Sequence, residues 1–314
     1  MRSWHDLRLS NLSKRKVPKS GLCLLCIVKN ESYFLPFFLD HYRRFGVSHF
    51  VFIDDNSNDG SIEYLLDQPD VTILQSNFAF DDQIDGLRFG VAIRGKLSKQ
   101  IFSGAWSLIA DADEFWFPPG GIESFSSAAK ELASAGHRIC KGIMYDCFPK
   151  ALAEIDSATL RDPPSEINPF TDSLGSIVWG NDSEPTQLSY ENNVRSRLLG
   201  FLRRNGLITD DFYRARGTPN LYKVPLINWT KSISMVSAHR LNGSYTDTPL
   251  MRCAHYKFFP NWQLKVKSAL ESGAYYNNSI EYKFLSLVHT YLRHQELTSK
   301  STVPTVQLFP TTNF

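Results

Sequence analysis

The chain has 314 residues, enough for one large domain or two modest ones with a sizeable buried core. Hydrophobic residues make up 42% and charged residues 21% of the sequence, a balance that is ordinary for a soluble globular protein. The formal net charge is only +2, so the whole chain lacks the basic footprint of a nucleic-acid-binding protein, and no nucleic-acid partner is expected.

Segments for export or membrane insertion are not expected either. The apolar run at 21–28 is too short for a secretory signal and lacks a small-residue cleavage site. No stretch approaches the roughly 18 apolar residues that a membrane span requires. The five cysteines are an odd number without a framework spacing, and this favours a reducing compartment. We therefore expect a cytoplasmic protein.

The first twenty residues form a basic N-terminal arm. Its basic residues are Arg2, Arg8, Lys14, Arg15, Lys16 and Lys19. An arm of this kind, lying before any regular pattern, is typical of a solvated tail. The alternative is peripheral attachment to the anionic inner face of the cell membrane, where each basic residue near the lipid contributes about 1 kcal/mol.

The pattern between residues 21 and 75 predicts a β-α-β-α-β unit. Its elements are a strand at 21–28, a helix at 33–45, a strand at 49–53, a helix ending at Leu66 and a strand at 71–75. The first strand is apolar throughout, which is typical of a strand buried on both faces, so the spacing of Cys23 and Cys26 indicates core packing and not a redox or zinc site. The repeated order predicts a Rossmann-like α/β fold, a doubly wound mixed sheet with helices on both faces.

Polar residues follow three of the predicted strands. Asn30 and Glu31 follow the first strand, and Asp54 and Asp55 end the second. A helical segment at roughly 83–103 then leads to a strand at 106–110, which ends at Asp111-Ala112-Asp113-Glu114. Ligands of such sheets bind outside the carboxyl ends of the strands. The sequence therefore predicts a cation or ribose site at this edge.

The second half of the chain has weaker signals. The predicted elements are a helix at 122–136, a strand at 140–148, a long loop or lid at 156–192, strands at 233–238 and 252–258, and a mainly helical stretch at 260–297. The loop is rich in Pro, Asp, Ser and Asn, and such composition indicates little regular structure.

Asp111 and Asp113 are separated by one residue. On an extended strand, alternate residues point to the same side, so both carboxylates are expected to face one ligand. Mg²⁺ and Mn²⁺ prefer oxygen ligands and bridge phosphate oxygens, and a bound cation neutralises the charge of a departing nucleotide diphosphate. Alone, the triplet is weak evidence, because acidic turns that face solvent have the same form.

Three motifs in fixed order strengthen this interpretation. They are Val28-Lys29-Asn30-Glu31, Phe52-Ile53-Asp54-Asp55-Asn56-Ser57-Asn58-Asp59-Gly60 and Ile109-Ala110-Asp111-Ala112-Asp113-Glu114-Phe115. Together they resemble the nucleotide-sugar-binding half of family 2 glycosyltransferases of the GT-A fold. The later runs at 144–149, 223–226 and 255–258 are similar to the bacterial family 2-like branch with a D-x-D-E-F signature. The resemblance covers roughly residues 21–290 and is most specific between 28 and 115.

The resemblance implies a GT-A fold with a helical C-terminal segment. The implied divisions are a basic arm (1–20), a nucleotide-sugar-binding half (21–120), an acceptor-binding half (121–260) and a C-terminal helical segment with a tail (261–314). The implied activity is metal-dependent transfer of a sugar from a nucleotide-sugar, usually a UDP-sugar, to a saccharide, lipid-linked or protein acceptor, mostly with inversion. Polysaccharide biosynthesis in a bacterium is the implied setting.

The family's donor-site roles fall on the strand ends. Asp55 resembles the acid that hydrogen-bonds the base of the donor nucleotide, and Asp54 either lines the same pocket or holds the turn. Asn30 and Glu31 would line this pocket too, although Glu31 could instead cap the next helix. Basic side chains between the second and third motifs could reach phosphate or lie on a solvated helix face. They are Arg88, Arg94 and Lys99.

The metal site of the family falls on later residues. Asp113 resembles the direct ligand of Mn²⁺ or Mg²⁺, and Asp111 would meet the ribose or a metal-bound water. His255 matches a late histidine that completes the metal shell in several GT-A enzymes, and imidazole suits Mn²⁺ better than Mg²⁺. The alternative for His255 is a core histidine bonded to a backbone carbonyl. His239 is a second candidate ligand.

The catalytic base is left open, because the family's late E-D pair is not evident. In an inverting enzyme an Asp or Glu deprotonates the acceptor hydroxyl. Asp146, at the end of a predicted strand, is the favoured candidate, and Asp172 and Asp182 in the long loop compete with it.

Two other classes of protein stay open. A non-catalytic nucleotide- or sugar-binding protein could keep this fold and its acidic residues. A nucleotidyltransferase also uses an acidic metal site on an α/β sheet, but it usually needs a Gly-rich, basic signature near its N-terminus, which residues 21–31 lack.

Overall fold

A computed structural model describes residues 3–173, 192–242, 248–273 and 276–309 of the chain. Its strands are β1 (Leu9–Asn11), β2 (Cys23–Val28), β3 (His49–Asp54), β4 (Val71–Ser76), β5 (Gln83–Ile84), β6 (Leu87–Arg88), β7 (Trp106–Ile109), β8 (Glu114–Phe117), β9 (Ile139–Phe148), β10 (Phe170–Asp172), β11 (Tyr222–Asn228), β12 (Leu250–Tyr256) and β13 (Thr302–Pro304). Its α-helices are α1 (Leu35–Arg44), α2 (Ser61–Leu66), α3 (Phe89–Phe102), α4 (Phe125–Ser134), α5 (Pro164–Ile167), α6 (Val194–Arg204), α7 (Asp210–Arg216), α8 (Trp262–Ser272), α9 (Tyr276–Leu292) and α10 (Thr305–Leu308).

The chain forms two compact units, each built from two segments. Unit 1 contains Met1–Ile143 and Tyr222–Cys253, and unit 2 contains Met144–Leu221 and Ala254–Phe314. The division passes through β9 and β12. These units do not coincide with the four consecutive segments predicted from the sequence, because β11 returns to the sheet of unit 1 after the chain has built most of unit 2.

The sheet of unit 1 is the mixed α/β sheet that the sequence predicts. Neighbouring strands follow the order β1-β4-β3-β2-β7-β11-β9. The four central strands β4, β3, β2 and β7 run parallel, while β1 and β11 pair antiparallel at either side of them. Strands β3 and β4 lie to one side of β2, and β7 lies to the other. The direction in which strands are added therefore reverses between β2 and β7.

The core of unit 1 forms around β2 and β3. All six residues of each strand are buried, so both faces of the sheet are covered here, as the continuous apolar runs predict. Phe38 of α1 packs against Phe50 and Phe52 of β3. Cys23 and Cys26 are free and buried, and burial raises the pKa of Cys23 to about 11. The prediction of a strand buried in the core at 21–28 is confirmed.

Part of the N-terminal arm is paired with the sheet, so the described arm is not entirely the solvated tail that its composition predicts. Residues Leu9–Asn11 form β1 and pair antiparallel with β4. The guanidinium of Arg15 donates to the Leu66 carbonyl oxygen at 2.9 Å. The edge of a sheet offers unpaired backbone groups, and an extended segment of any charge can satisfy them. Basic composition alone does not reveal that pairing.

Unit 2 contains antiparallel strands of the same 11-stranded sheet and has its own apolar core. Strand β10 pairs with β9 and with β13. Helices α6, α8 and α9 contribute Leu198, Trp262 and Phe284 to one buried cluster with Phe148 of β9. The predicted helical stretch at 260–297 is confirmed by α8 and α9.

Three element predictions differ from the structure. The predicted helix at 83–103 begins with the β5–β6 hairpin, and α3 occupies its remainder. The predicted strand at 233–238 is reduced to one bridge between Met235 and Leu241. The loop at 156–192 contains α5 and β10, and its residues 174–191 lie outside the described part. Among the described residues, no helix combines the length and hydropathy needed to cross a membrane.

Candidate functional site

The loops after β2 and β3 are joined by hydrogen bonds. Asn30 and Asn56 both adopt left-handed backbone conformations, with φ of 57° and 58°, which asparagine tolerates better than most residues. The backbone N–H of Asn30 donates to Ser57 Oγ at 3.0 Å, and the N–H of Asn58 donates to Asn30 Oδ1 at 2.8 Å. Asn30 therefore fixes the shape of both loops.

Glu31 lies at the start of the segment that leads into α1. Its N–H donates to Ser61 Oγ at 3.0 Å, and its carbonyl oxygen accepts from Phe34 and Leu35. The backbone of Glu31 thus begins the first turn before α1. The N-cap residue of α1 is Phe34, so Glu31 does not cap this helix as the alternative expected. Its predicted place in the nucleotide pocket stays a prediction.

Asp54 has the turn-holding role that the sequence left as an alternative. The side chain accepts from the Ser57 N–H at 3.1 Å and from Gln75 Nε2 at 3.2 Å. Only 1% of the residue is exposed. Its oxygens are therefore used to shape the loop after β3 and to link that loop to β4.

Asp55 has one oxygen bonded to Lys29 and one buried oxygen without a hydrogen bond of ordinary geometry. Lys29 Nζ lies 2.9 Å from Oδ2. Oδ1 is buried and has no hydrogen bond of ordinary geometry with the described residues, although the backbone N–H of Phe80 also acts on this carboxylate. The side chain is only 3% exposed. Burial raises the pKa of Asp55, while the hydrogen bond and charge of Lys29 act against it. A buried acceptor of this kind is costly unless a ligand supplies a donor.

The third acidic motif lies in a turn, and this corrects the geometry that the sequence predicts. Strand β7 ends at Ile109, and the Glu114 N–H donates to the Asp111 carbonyl oxygen at 3.0 Å before β8 begins. Because Asp111 and Asp113 are not on an extended strand, the alternation rule does not hold them on one side. Asp113 is partly exposed at this turn.

Asp111 belongs to a compact group of four charges. Arg94 of α3 pairs with its Oδ1, and Lys223 of β11 lies 2.7 Å from its Oδ2. Lys223 also pairs with Glu114. Burial would lower the pKa of Lys223, but the charges of Asp111 and Glu114 raise it above its ordinary value. The four side chains carry two positive and two negative charges, so the group is neutral.

The sequence analysis assigned a candidate role to Arg94 but none to Lys223. Arg94 was a candidate phosphate contact with a solvated helix face as the alternative, and its side chain is 7% exposed, so that alternative is wrong. Lys223 had no predicted role beyond its place in a family-like run. The signal that could have found it is a lysine inside an otherwise apolar strand, because a lysine is rarely buried unless it is paired.

The other candidates in unit 1 are placed as follows. Arg88 directly precedes α3 and is partly exposed. Lys99 Nζ donates to Ser234 Oγ at 2.7 Å. His239 Nδ1 donates to the Tyr222 carbonyl oxygen at 2.8 Å, and burial, followed by the charge of Lys223, lowers its pKa to about 4. His239 is therefore a neutral histidine, bonded as a core histidine usually is.

Asp146 is the centre of a buried polar network in unit 2. Arg195 donates Nε to Oδ2 at 2.7 Å and Nη2 to Oδ1 at 3.0 Å. Asn193 Nδ2 donates to Oδ2 at 2.7 Å, and His255 Nδ1 donates to Oδ1 at 2.6 Å. Burial would raise the pKa of Asp146, but the charge of Arg195 and the hydrogen bond from His255 hold it well below its usual range.

This network disfavours the predicted role of Asp146 as catalytic base. A base must take up a proton near the working pH, and a carboxylate that accepts four hydrogen bonds with a lowered pKa does so poorly. The same contacts make Asp146 an effective anchor for the ring of His255. Sequence periodicity gave no sign of this, because Arg195 lies far along the chain.

The network extends beyond Arg195 to a second arginine. Arg195 Nη1 lies 2.8 Å from Glu281 Oε1, and Arg216 Nη2 lies 2.6 Å from Glu281 Oε2. The ring of Phe284 stacks under the Arg216 guanidinium, whose carbon is 4.6 Å from the ring centre. These contacts tie α6, α7 and α9 together around one chain of alternating charges.

Asp172 and Asp182 were the other candidate bases. Burial raises the pKa of Asp172 to about 6, although Arg197 opposes this with a contact of 3.0 Å to Oδ1. Oδ2 of Asp172 is buried and has no hydrogen bond of ordinary geometry with the described residues, although the backbone N–H of Val194 also acts on this carboxylate. Asp182 lies outside the described residues.

The predicted metal ligands belong to different units. Asp111 and Asp113 are in unit 1 and His255 is in unit 2, so the expectation that they serve one ion stays a prediction. The three strand-end loops of unit 1, in contrast, follow neighbouring parallel strands.

Comparison with protein-family models found no family that matches the chain, and comparison with curated proteins found no significant match.

Proposed function

We propose that the chain is a metal-dependent glycosyltransferase of the GT-A fold, similar to the bacterial family 2-like branch. It would move a sugar from a nucleotide-sugar, in our proposal a UDP-sugar, to a saccharide, lipid-linked or protein acceptor with inversion of the anomeric centre. The proposal rests on the resemblance of three motifs and on the position of those motifs in the sheet of unit 1.

The observation that carries the proposal is the reversal of strand order between β2 and β7. In open α/β sheets, ligands bind outside the carboxyl ends of the strands at such a reversal. Here Asn30 and Glu31 follow β2, and Asp111 and Asp113 follow β7. The neighbouring strand β3 adds Asp55. The residues that resemble the family's donor site therefore follow neighbouring parallel strands, at the edge where such sheets bind ligands, and this supports the proposal.

Asp55 is suited to recognition of a base. Its buried Oδ1 has no hydrogen bond of ordinary geometry with the described residues and so offers an acceptor to a ligand. The N3–H group of uracil is a donor that such an oxygen can accept, whereas N3 of cytosine is an acceptor. Bonding uracil at this position would remove the cost of burying that oxygen.

The acidic turn is suited to a hard cation through Asp113. Carboxylate oxygens are the ligands that Mn²⁺ and Mg²⁺ prefer. The oxygens of Asp111 are held by Arg94 and Lys223, so in this proposal Asp113 makes the direct contact and Asp111 supports it. A bound cation would neutralise negative charge on the departing diphosphate.

On the acceptor side we propose Asp172 as the base in place of Asp146. Its pKa of about 6 suits proton uptake near neutral pH better than the strongly lowered pKa of Asp146. In the reaction, the acceptor hydroxyl gives its proton to the carboxylate, and its oxygen forms a bond to the anomeric carbon. The bond from that carbon to the diphosphate oxygen breaks, and the nucleotide diphosphate leaves with the electron pair.

A second candidate is a non-catalytic nucleotide-binding protein. The neutral group around Asp111 and the saturated carboxylate of Asp146 favour it, because both remove acidic groups from chemistry. This candidate keeps nucleotide binding and lacks turnover. We rank it below the enzyme, since Asp113 and Asp55 retain the features expected of a donor site.

A cytoplasmic location with peripheral membrane contact completes the proposal. The buried free cysteines agree with a reducing compartment. Of the basic arm, Lys14, Lys16 and Lys19 are exposed and would face an anionic lipid surface, whereas Arg15 is bonded to its own chain.

A screen of nucleotide-sugar hydrolysis tests the proposal. The purified chain is incubated with UDP-, GDP-, CDP- and dTDP-sugars in the presence of Mn²⁺ or Mg²⁺, and released nucleotide is measured. We expect slow release from a UDP-sugar that disappears in Asp113→Ala and persists in Lys130→Met, a change at an exposed site on α4. If the chain binds a nucleotide but releases none from any nucleotide-sugar, whichever acceptor is supplied, the result would favour the non-catalytic candidate.

A further inference from the structure

The side chain of Lys223 pairs with two carboxylates of the acidic turn after β7 (residues 111–114). Lys223 Nζ lies 2.7 Å from Asp111 Oδ2 and also pairs with Glu114 Oε1. The side chain of Lys223 is 9% exposed, and that of Glu114 is 2% exposed. An ammonium ion thus bridges two carboxylates, as a divalent metal does in many acidic sites.

We propose that Lys223 is a built-in cation that keeps a divalent metal off Asp111 and Glu114 and thereby sets the metal affinity of the turn. Asp113 is then the carboxylate of the triplet that holds the metal. This inference rests on the metal dependence in the proposed function. It adds a residue that neither the motif nor the resemblance assigns to the site.

The charge of the group explains why Lys223 matters. Arg94 and Lys223 balance Asp111 and Glu114, so an arriving cation meets no net negative charge from these four side chains. Removal of the ammonium would leave one uncompensated carboxylate in a buried setting, where attraction for a cation is stronger than in water. Substitution of Lys223 by a neutral residue should therefore strengthen metal binding at this turn.

The fold holds Lys223 in this position. Strand β11 pairs antiparallel with β7, and Leu226 lies opposite Leu108. Where β11 pairs with β9, its register shifts between Lys223 and Leu226. An irregularity of this kind turns a strand residue away from its regular direction. Lys223 stands just before the shift and reaches the turn after β7.

A titration with Mn²⁺ alone tests this inference, with free Mn²⁺ followed by electron paramagnetic resonance. We expect Lys223→Met to bind Mn²⁺ about tenfold more tightly than the wild type, because a neutral group becomes a negative one. Lys223→Arg keeps the charge and should stay within about threefold of the wild type. The double variant Lys223→Met/Asp111→Asn restores neutrality and should lose the gain. Lys130→Met removes one exposed charge elsewhere and should change nothing.

The outcomes separate this inference from the proposed function. Unchanged or weaker Mn²⁺ binding in folded Lys223→Met overturns the inference, even if UDP binding depends on metal. Tighter Mn²⁺ binding in Lys223→Met supports it, even if UDP binds the wild type without metal and the proposed metal dependence fails. If circular dichroism shows that Lys223→Met does not fold, Lys223→Gln replaces it, since the amide can still bond to Glu114.

Discussion

The Nδ1 atom of His255 lies 2.6 Å from Oδ1 of Asp146, and the two side chains are only 5% and 1% exposed. Arg195 holds the carboxylate by two of its nitrogens, so the oxygen that faces the imidazole is fixed. A carboxylate bonded to one ring nitrogen sets the tautomer of a histidine and makes the other nitrogen the basic one. This pairing is typical of histidines that bind metals, and it also occurs in structural networks.

Asp146→Asn separates these two roles. If His255 is a metal ligand, its loss of orientation should weaken Mn²⁺ binding by roughly 10-fold or more. Replacement of the carboxylate also weakens the Arg195 contacts, so the free energy of unfolding should fall by about 3 kcal/mol. Calorimetric Mn²⁺ titration and urea unfolding measure the two effects. Asp156→Asn, in the more exposed pair with Arg293, is the matched control and should show neither. Lower stability with unchanged Mn²⁺ affinity would leave His255 a structural residue.

Asp172 should make the stability of the chain depend on pH. Its pKa is raised to about 6 in the folded state from 3.8, so the folded state binds the proton more tightly than the unfolded state. Its stabilising effect is therefore fully present below pH 3.8 and is lost as pH rises through about 6. Asp172→Asn should remove this dependence, an effect on the order of 2–3 kcal/mol between the two limits.

Urea unfolding of the wild type and Asp172→Asn at pH 4, 5, 6 and 7 measures that difference. Asp146 has the opposite sign, because its pKa is lowered and its contribution is lost only as pH falls below 3.8. It therefore does not mimic the effect of Asp172 in this window. Parallel unfolding curves for wild type and variant at all four pH values would rule out the raised pKa. If Asp172 is also the base, turnover should fall as pH drops below about 6.

Asp55 should decide which nucleotide is preferred. Asp55→Asn replaces an acceptor with an amide that can also donate, so it should weaken UDP binding by about tenfold and improve CDP binding relative to UDP. Competition calorimetry with the two nucleotides measures the ratio. Asp54→Asn is the neighbouring control, and it should lower stability through the Ser57 turn while leaving the ratio unchanged. A ratio that moves equally in both variants would mean that the loop shape, and not Asp55, recognises the base.

Gly142 should be required for the packing of unit 1. A Cβ atom placed there would lie 2.0 Å from the ring of Trp116, which is fully buried. Gly142→Ala is expected to lower the free energy of unfolding by about 2 kcal/mol or more, because the ring must move. In Gly95→Ala the nearest contact is an ordinary 3.5 Å, so this helical change should be neutral or stabilising. Equal thermal stability of the two variants would contradict the packing described for Trp116.

The sequence predicted the sheet of unit 1 well because its signals are local. Strands β2 and β3 can be identified without knowledge of distant contacts, because each is a continuous apolar run followed by polar residues. Left-handed Asn30 and Asn56 also lie where the motifs predict loops. The same reasoning failed where structure depends on partners far along the chain. Strand β1 forms only because β4 offers an open edge.

The ion pairs of the charged groups also depend on partners that are distant in the sequence and could not be predicted from local patterns. Lys223 reaches Asp111 across 112 residues of sequence, and Arg195 reaches Asp146 across 49. No periodic pattern reports such pairs, so the sequence treated Asp111 and Asp146 as carboxylates available for ligands or chemistry. Their ion pairs disfavour these roles, because a carboxylate whose oxygens are satisfied by buried cations is a poor metal ligand or base.

Calorimetric titration of UDP into the wild type and Asp113→Ala, each with Mn²⁺ and with a chelator, tests the central claim most directly. The proposed function predicts that UDP binds the wild type only in the presence of Mn²⁺ and that Asp113→Ala weakens this binding at least about tenfold. UDP binding of equal strength with and without metal, or no binding of UDP to the wild type under either condition, would contradict it.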